Sequence, residues 1–136
     1  RVSSTSRGLG DVYKRQEHVG FDEGHIVSSV HNIAHHGDLS NSDQTKHIVV
    51  DDVISTFKNY ILEWDEKQIK TFVDDKLIFS YSKNNQPWER WPFDEKFHFI
   101  LNIAIGGNWG GIKGIDDNAF PTKMEIEHFR VYKKKP

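Results

Sequence analysis

Residues 91–111 read Trp91-Pro92-Phe93-Asp94-Glu95-Lys96-Phe97-His98-Phe99-Ile100-Leu101-Asn102-Ile103-Ala104-Ile105-Gly106-Gly107-Asn108-Trp109-Gly110-Gly111. The run Phe97 to Ile105 is nearly continuous in apolar residues, the pattern of a strand buried on both faces. Asn102 interrupts it. A buried amide without partners costs about 1–3 kcal/mol, so Asn102 must be hydrogen-bonded or face a cleft. Gly106, Gly107, Gly110 and Gly111 then bracket Trp109 in a loop with little side-chain bulk. An indole exposed on such a loop is a flat apolar platform for the C–H face of a sugar ring, with its N–H free to donate. The same residues also fit a tryptophan that caps one end of the core, since tryptophan is highly buried on average.

Outward from this run, short alternating segments dominate. From His25, the residues Val27, Ser29, His31 and Ile33 share one side and Ile26, Ser28 and Val30 the other, a strand of mixed polarity. Ala34 to Gln44 is too polar to pack and reads as a loop. Tyr60, Leu62 and Trp64 share a face, and Asp65 to Gln68 turns the chain into the β-branched segment Ile69 to Val73. Asp74-Asp75-Lys76 makes a second tight reversal before Leu77, Phe79 and Tyr81, so three hairpin-linked strands are expected. Met124 to Tyr132 alternates again. With no long 3.6-residue period and no repeat, the chain reads as an all-β, antiparallel sandwich.

Composition narrows the function classes. The chain has 136 residues, 18 basic against 20 acidic, and a net charge of -2. That balance gives no electrostatic footprint for nucleic acid. No apolar run approaches the roughly 18 residues of a membrane span, so neither nucleic acid nor membrane is an expected partner. The absence of cysteine excludes disulfides, thiolate metal sites and a thiol nucleophile.

Residues 1–16 stand apart. They lack helical or strand periodicity and carry four basic residues against one acidic, +3, whereas the other 120 residues carry 14 basic and 19 acidic, -5. Such a break reads as a foreign or disordered leader. The string from Val2 to Gln16 resembles translated sequencing-adapter sequence, which would start the native frame at Glu17. The expected division is therefore a leader at 1–16, one domain at 17–132 and a solvated basic tail at 133–136.

Trp91-Pro92-Phe93-Asp94, the run Phe97 to Gly111, Gly114-Ile115-Asp116-Asp117, Phe120-Pro121 and Met124 to Tyr132 together resemble the C-terminal part of family 16 glycoside hydrolases. Within that family they are most similar to laminarinase-type endo-1,3-β-glucanases. The resemblance covers Glu17 to Tyr132. It implies a jelly-roll, concanavalin-like sandwich whose N-terminal part is missing, with a sugar-binding cleft across the concave sheet. It further implies hydrolysis of β-1,3-glucans such as laminarin with retention of configuration, a monomer, and a secreted or periplasmic location.

Retaining hydrolysis needs two carboxyl groups about 5–5.5 Å apart, one a nucleophile and the other an acid/base. The family carries them on one strand as Glu-x-Asp-x-x-Glu, and the odd spacing requires a bulge to bring the last side chain back to the shared face. The segment His18 to Asp22 resembles the short stretch that the family carries directly after this motif, which implies that Glu17 is the acid/base. Counting back gives Lys14 and Val12 where the family has its helper Asp and nucleophile, and neither residue can do that work. The chain as written is thus expected to lack turnover. The other reading is a non-catalytic, lectin-like carbohydrate-binding sandwich.

By the same resemblance His31 could face the cleft, although a strand histidine is also an ordinary half-buried polar residue. Trp91 and Trp88 are candidate sugar contacts or packing residues. Five histidines between His18 and His36 suggest metal, but His31 and His35 converge only on a helix, and this segment reads as strand and loop. The family's structural calcium would fall to Glu127, in place of the usual Asp; no other cofactor is implied.

Overall fold

A computed structural model describes residues 2–5, 13–35 and 44–135. Two antiparallel sheets form the all-β architecture expected from the sequence. The first has the order β1 (Val2–Thr5), β2 (Tyr13–His18), β3 (His25–His31) and β4 (Thr45–Val49); the second joins β5 (Tyr60–Trp64), β6 (Gln68–Val73) and β7 (Lys76–Ser82). Among the described residues no helix is long and apolar enough to cross a membrane.

The second sheet is shaped by its turn residues. Asp65 Oδ1 accepts from the Lys67 and Gln68 amides at 2.7 and 2.9 Å, which closes the β5–β6 reversal and sets Trp64 opposite Ile69. These hydrogen bonds, the Lys67 amide foremost, also hold the Asp65 carboxyl below the usual range. Asp74 takes a left-handed φ of 50°, a conformation Asp tolerates, and Val73 then pairs with Lys76 across a two-residue turn. The strict alternation of β6 sends Ile69, Thr71 and Val73 inward.

The sheets meet over a core of Ile26 and Val30 from β3, Ile69 and Val73 from β6, Ile78, Phe79 and Tyr81 from β7, and Trp91 and Phe93. Trp91 stacks on Tyr81 with ring centroids 5.7 Å apart and meets Phe93 edge-on at 5.4 Å. Polar pins cross the same interface. Thr71 Oγ1 donates to Ser28 Oγ at 2.7 Å, and Gln16 Nε2 donates to the Phe72 carbonyl at 3.0 Å. Asn32 ends β3 by donating to the Tyr81 hydroxyl at 3.2 Å and the Arg90 carbonyl at 3.0 Å.

The structure departs from the sequence reading at residues 13–16, at β4 and at the two C-terminal apolar segments. The leader supplies β1 and most of β2, and it buries Lys14 and Gln16. Its strands are set by the partner they pair with, because β-propensity depends on context more than on intrinsic preference. β4 is absent from the sequence expectation; only Ile48 along it is drawn toward the core, so its apolar signal is weak. Of the loop expected over Ala34 to Gln44, residues 36–43 lie outside the described set, while Ile33–His35 forms a 3-10 turn. Finally, Phe97 to Ile105 is not a strand buried on both faces, and Met124 to Tyr132 forms no ladder. Both lie outside any ladder and are largely exposed, with one isolated bridge at Leu101, while Phe97 packs against the core, edge-on to Trp64 of β5 at 5.2 Å.

Candidate functional site

The outer face of the first sheet carries a cleft of about 320 Å³. Register explains its floor. Arg15 pairs with Ser29 and Glu17 with Val27 across β2–β3, while Ser29 pairs with Thr45 and Val27 with His47 across β3–β4. By the two-residue period these six residues share one face, and all six line the cleft. His25, the first residue of β3, Asp22 from the turn before it, and Trp109, which packs against Phe21 of that turn, complete the lining.

A polar chain runs along the floor. Arg15 Nε lies 2.8 Å from Glu17 Oε2 and donates to Ser29 Oγ at 3.3 Å, and His31 Nε2 lies 3.5 Å from the same hydroxyl. Glu17 is almost wholly buried, its side chain 1% exposed, so this ion pair is shielded from water. At the side, Asp22 Oδ1 lies 2.7 Å from His25 Nδ1, and the His25 ring meets His47 edge-on at 6.0 Å. The Asp22–His25 contact is half exposed and contributes position more than stability.

The wall bearing Trp109 depends on its glycines. Gly106 and Gly107 adopt φ of 68° and 81°, open to glycine at no steric cost. A Cβ on Gly110 would stand 2.7 Å from the Gly106 carbonyl, and one on Gly111 2.8 Å from the Gly107 carbonyl. The loop therefore closes tightly and presents a half-buried Trp109 against the edge of Phe21, with centroids 6.2 Å apart. Lys113 Nζ lies over the Phe21 ring at 5.6 Å. The indole is held at an angle and keeps part of its surface toward the cleft.

Lys14 does not share this cleft. β2 pairs residue for residue with β3 from Tyr13 opposite His31 to His18 opposite Ile26, without the bulge that the Glu-x-Asp-x-x-Glu pattern requires. Lys14 consequently projects to the face opposite Glu17. Its ammonium sits 3.4 Å from the Phe97 ring centroid and 3.7 Å from that of Trp64, and burial lowers its pKa to about 7. Val12 lies outside the described residues.

The structure thus brings Glu17 and Trp109 together and sets His31 at the end of the same polar chain. The remaining sequence candidates lie elsewhere. Trp91 is a core residue, 1% exposed, whose Nε1 donates to Asp94 Oδ1 at 3.2 Å. Trp88 is exposed on its loop. Asn102 is half-buried outside the cleft lining, and its Oδ1 has no hydrogen-bond partner among the described residues. Glu127 is exposed, with His128 Nδ1 3.4 Å from its carboxylate. Among the described residues no three His, Asp or Glu side chains converge, and Glu127 presents a single carboxylate. Sequence reasoning passed over Arg15, Asp22, His25 and His47. Their signal was the shared face across three strands, which appears only once β4 and the register are known.

This construction, a two-sheet antiparallel sandwich with a glutamate on the open face of one sheet and an indole beside it, is that of a carbohydrate-active jelly roll. The chain belongs to the glycosyl hydrolases of family 16, whose family pattern matches residues 15–128. It is 37% identical over 122 residues to a β-glucanase of Rhodothermus marinus, covering 86% of this chain and 42% of that one. The crystal structure of the laminarinase from Rhodothermus marinus superposes with a TM-score of 0.77 at 33% identity, covering 88% of this chain and 53% of its own. A mutant of SCLam, a non-specific endo-β-1,3(4)-glucanase, superposes with a TM-score of 0.67 at 29% identity, over 77% of this chain and 40% of that one. That protein presents 1,3-β-D-cellobiosyl-glucose at its active site. The chain spans about half the length of these relatives, or less.

Proposed function

We propose that the cleft takes a β-1,3-linked glucan chain, with a glucose ring stacked on Trp109 and its hydroxyl groups met by the exposed His47, over a floor that holds the buried Arg15–Glu17 pair. In a parent glucanase Glu17 would act as acid/base in retaining hydrolysis. In the present chain it binds without turnover. The observation that carries this reading is the placement of Glu17 and Trp109 on one cleft while Lys14 faces away.

The chemistry is set by those positions. A carboxyl group that protonates a leaving oxygen must reach that oxygen, and Glu17 instead engages the Arg15 guanidinium at 2.8 Å. The second carboxyl that retention demands is not supplied by β2, whose residues before Glu17 are Tyr13, Lys14, Arg15 and Gln16. Asp22 lines the cleft but is engaged by His25. The non-catalytic, lectin-like reading is therefore favoured for this chain by the Arg15–Glu17 contact itself. The family's secreted or periplasmic setting is proposed with it, where polymeric glucan is met.

Titration with laminarin, followed by tryptophan fluorescence and by release of reducing ends, tests the proposal. Saturable binding without reducing ends is expected. Trp109→Ala should weaken it by about ten-fold, the equivalent of 1.4 kcal/mol and within the worth of an aromatic platform. Steady release of reducing ends by the purified chain would overturn the inactivity. Unchanged affinity in Trp109→Ala would remove the cleft assignment.

A further inference from the structure

We propose that Phe21 is a positioning residue for Trp109, fixing from the β2–β3 turn the angle at which the indole meets a sugar ring. The proposal deepens the glucan reading and rests on it for the ligand, while the geometry it asserts exists without one.

The loop that carries Trp109 does not orient the indole by itself. The Gly111 amide donates to the Gly107 carbonyl at 3.0 Å and the Ile112 amide to the Trp109 carbonyl at 3.2 Å, which fixes the backbone around Trp109. The side chain is left to its own rotamers, because Gly106, Gly107, Gly110 and Gly111 bring no side chain to pack against it. Among the described residues Phe21 is the one aromatic ring that meets the indole, with centroids 6.2 Å apart and planes at 86°. A perpendicular pair is a favoured arrangement of two aromatic quadrupoles, so the contact selects an angle as well as a distance.

Phe21 is the better anchored of the two. Its turn is closed by the Asp22 amide on the Val19 carbonyl and the His25 amide on the Asp22 carbonyl, each at 3.2 Å. Gly24 completes it with a φ of 85°, and its carbonyl accepts from the Val50 amide at 2.7 Å, which ties the turn to the end of β4. Trp109, by contrast, lies outside any ladder. Lys113 brings the far side of its loop to the same ring, with Nζ 5.6 Å from the Phe21 centroid, inside the range of a cation–π contact. The glycine loop is thus held to Phe21 twice.

The consequence is registration. The turn follows β2, which ends at His18 one residue past Glu17, and it carries Asp22 and leads into His25, both in the cleft. One turn therefore connects the Glu17 floor to the indole. Phe21 itself is not part of the cleft lining. A tilted indole would offer a sugar the same apolar area but carry its hydroxyl groups away from His47, so affinity depends on Phe21 through Trp109.

Two readouts test this on the full chain. Without sugar, the near-ultraviolet circular dichroism of Trp109, taken as the difference between the unaltered chain and Trp109→Ala, reports how the indole is set. Phe21→Ala should abolish most of that band, and Phe21→Tyr, which keeps the ring, should preserve it. With laminarin, Phe21→Ala should weaken binding about three- to ten-fold, the worth of one aromatic pair, while Phe21→Tyr binds as the unaltered chain does. In the Trp109→Ala background Phe21→Ala should change affinity no further. Neither Phe21 nor Trp109 belongs to the hydrophobic core, so the urea midpoint verifies that the variants fold. Phe21→Leu, which keeps apolar bulk without the ring, repeats the test should the alanine variant not fold. An undiminished Trp109 band in Phe21→Ala would overturn the proposal. So would an affinity loss that persists in full once Trp109 is gone. If no form binds laminarin while the band still collapses in Phe21→Ala and survives in Phe21→Tyr, the glucan reading falls alone and the positioning role stands.

Discussion

Residues 60–93 and residues 97–132 are alike in apolar content and unlike in outcome. In the first region every strand finds a partner, and alternation becomes a core with Trp91 and Phe93 at its centre. In the second, an apolar run stronger than any in β5–β7 stays outside any ladder and largely exposed. Hydrophobicity selects what wants burial, but a strand forms only where a neighbour offers hydrogen bonds. The contrast also locates the site, since the cleft draws its floor from the paired first sheet and its Trp109 wall from the unpaired region.

The sharpest way to break the comparison is to remove a side chain from the paired region. Trp91→Ala deletes a residue that stacks on Tyr81, abuts Phe93 and donates to Asp94. A loss of about 3–5 kcal/mol is expected in urea unfolding. A loss below about 1 kcal/mol would mean that the paired region is no better packed than the open one.

Lys14 joins the two regions, held between Trp64 of β5 and Phe97 of the open run. Its pKa falls to about 7 from 10.5, so between those values the unfolded chain binds more protons than the folded one. Stability should therefore rise with pH from about 7 to 10.5, and below about 7, where both states carry the proton, the full cost is present and constant. Lys14→Met should abolish that slope and gain about 1–4 kcal/mol at neutral pH, as replacement of buried charge by apolar bulk often does. Parallel stability profiles for the two proteins across this window would show that the amine is solvated.

Asn32→Ala comes next. It removes the amide that reaches both the Tyr81 hydroxyl and the Arg90 carbonyl, and so unties the end of β3 from the loop that places Trp91. The expected cost is about 1–3 kcal/mol, the penalty for leaving buried acceptors unmet. Replacement by Asp, which keeps the shape but loses the donor, should not restore it.

Much of this was legible in the residues. The hairpins of β5–β7 announced themselves through Asp65 and Asp74 at their turns, and Glu17 and Trp109 through motif context. Three things were not legible. The strand role of Lys14 and Gln16 depends on pairing with β3, because their own alternation carries no apolar signal. Trp91 read equally as a sugar contact or as packing, and only the position of Tyr81 decides for the core. The cleft face of β4 needed register, which a weakly apolar strand does not declare.

The smallest effect tests the open region directly. Phe129 is 53% exposed and touches Phe99 edge-on, outside any ladder. Phe129→Ala should cost no more than about 1 kcal/mol, the worth of one aromatic pair with little burial behind it. The denaturant slope should stay unchanged, since little additional surface is exposed on unfolding. A cost approaching that of Trp91→Ala, and rising with protein concentration, would show that the face is covered in solution. Burial would then have been supplied by association and not by the fold, and the same apolar run would behave like the paired region once it has a neighbour.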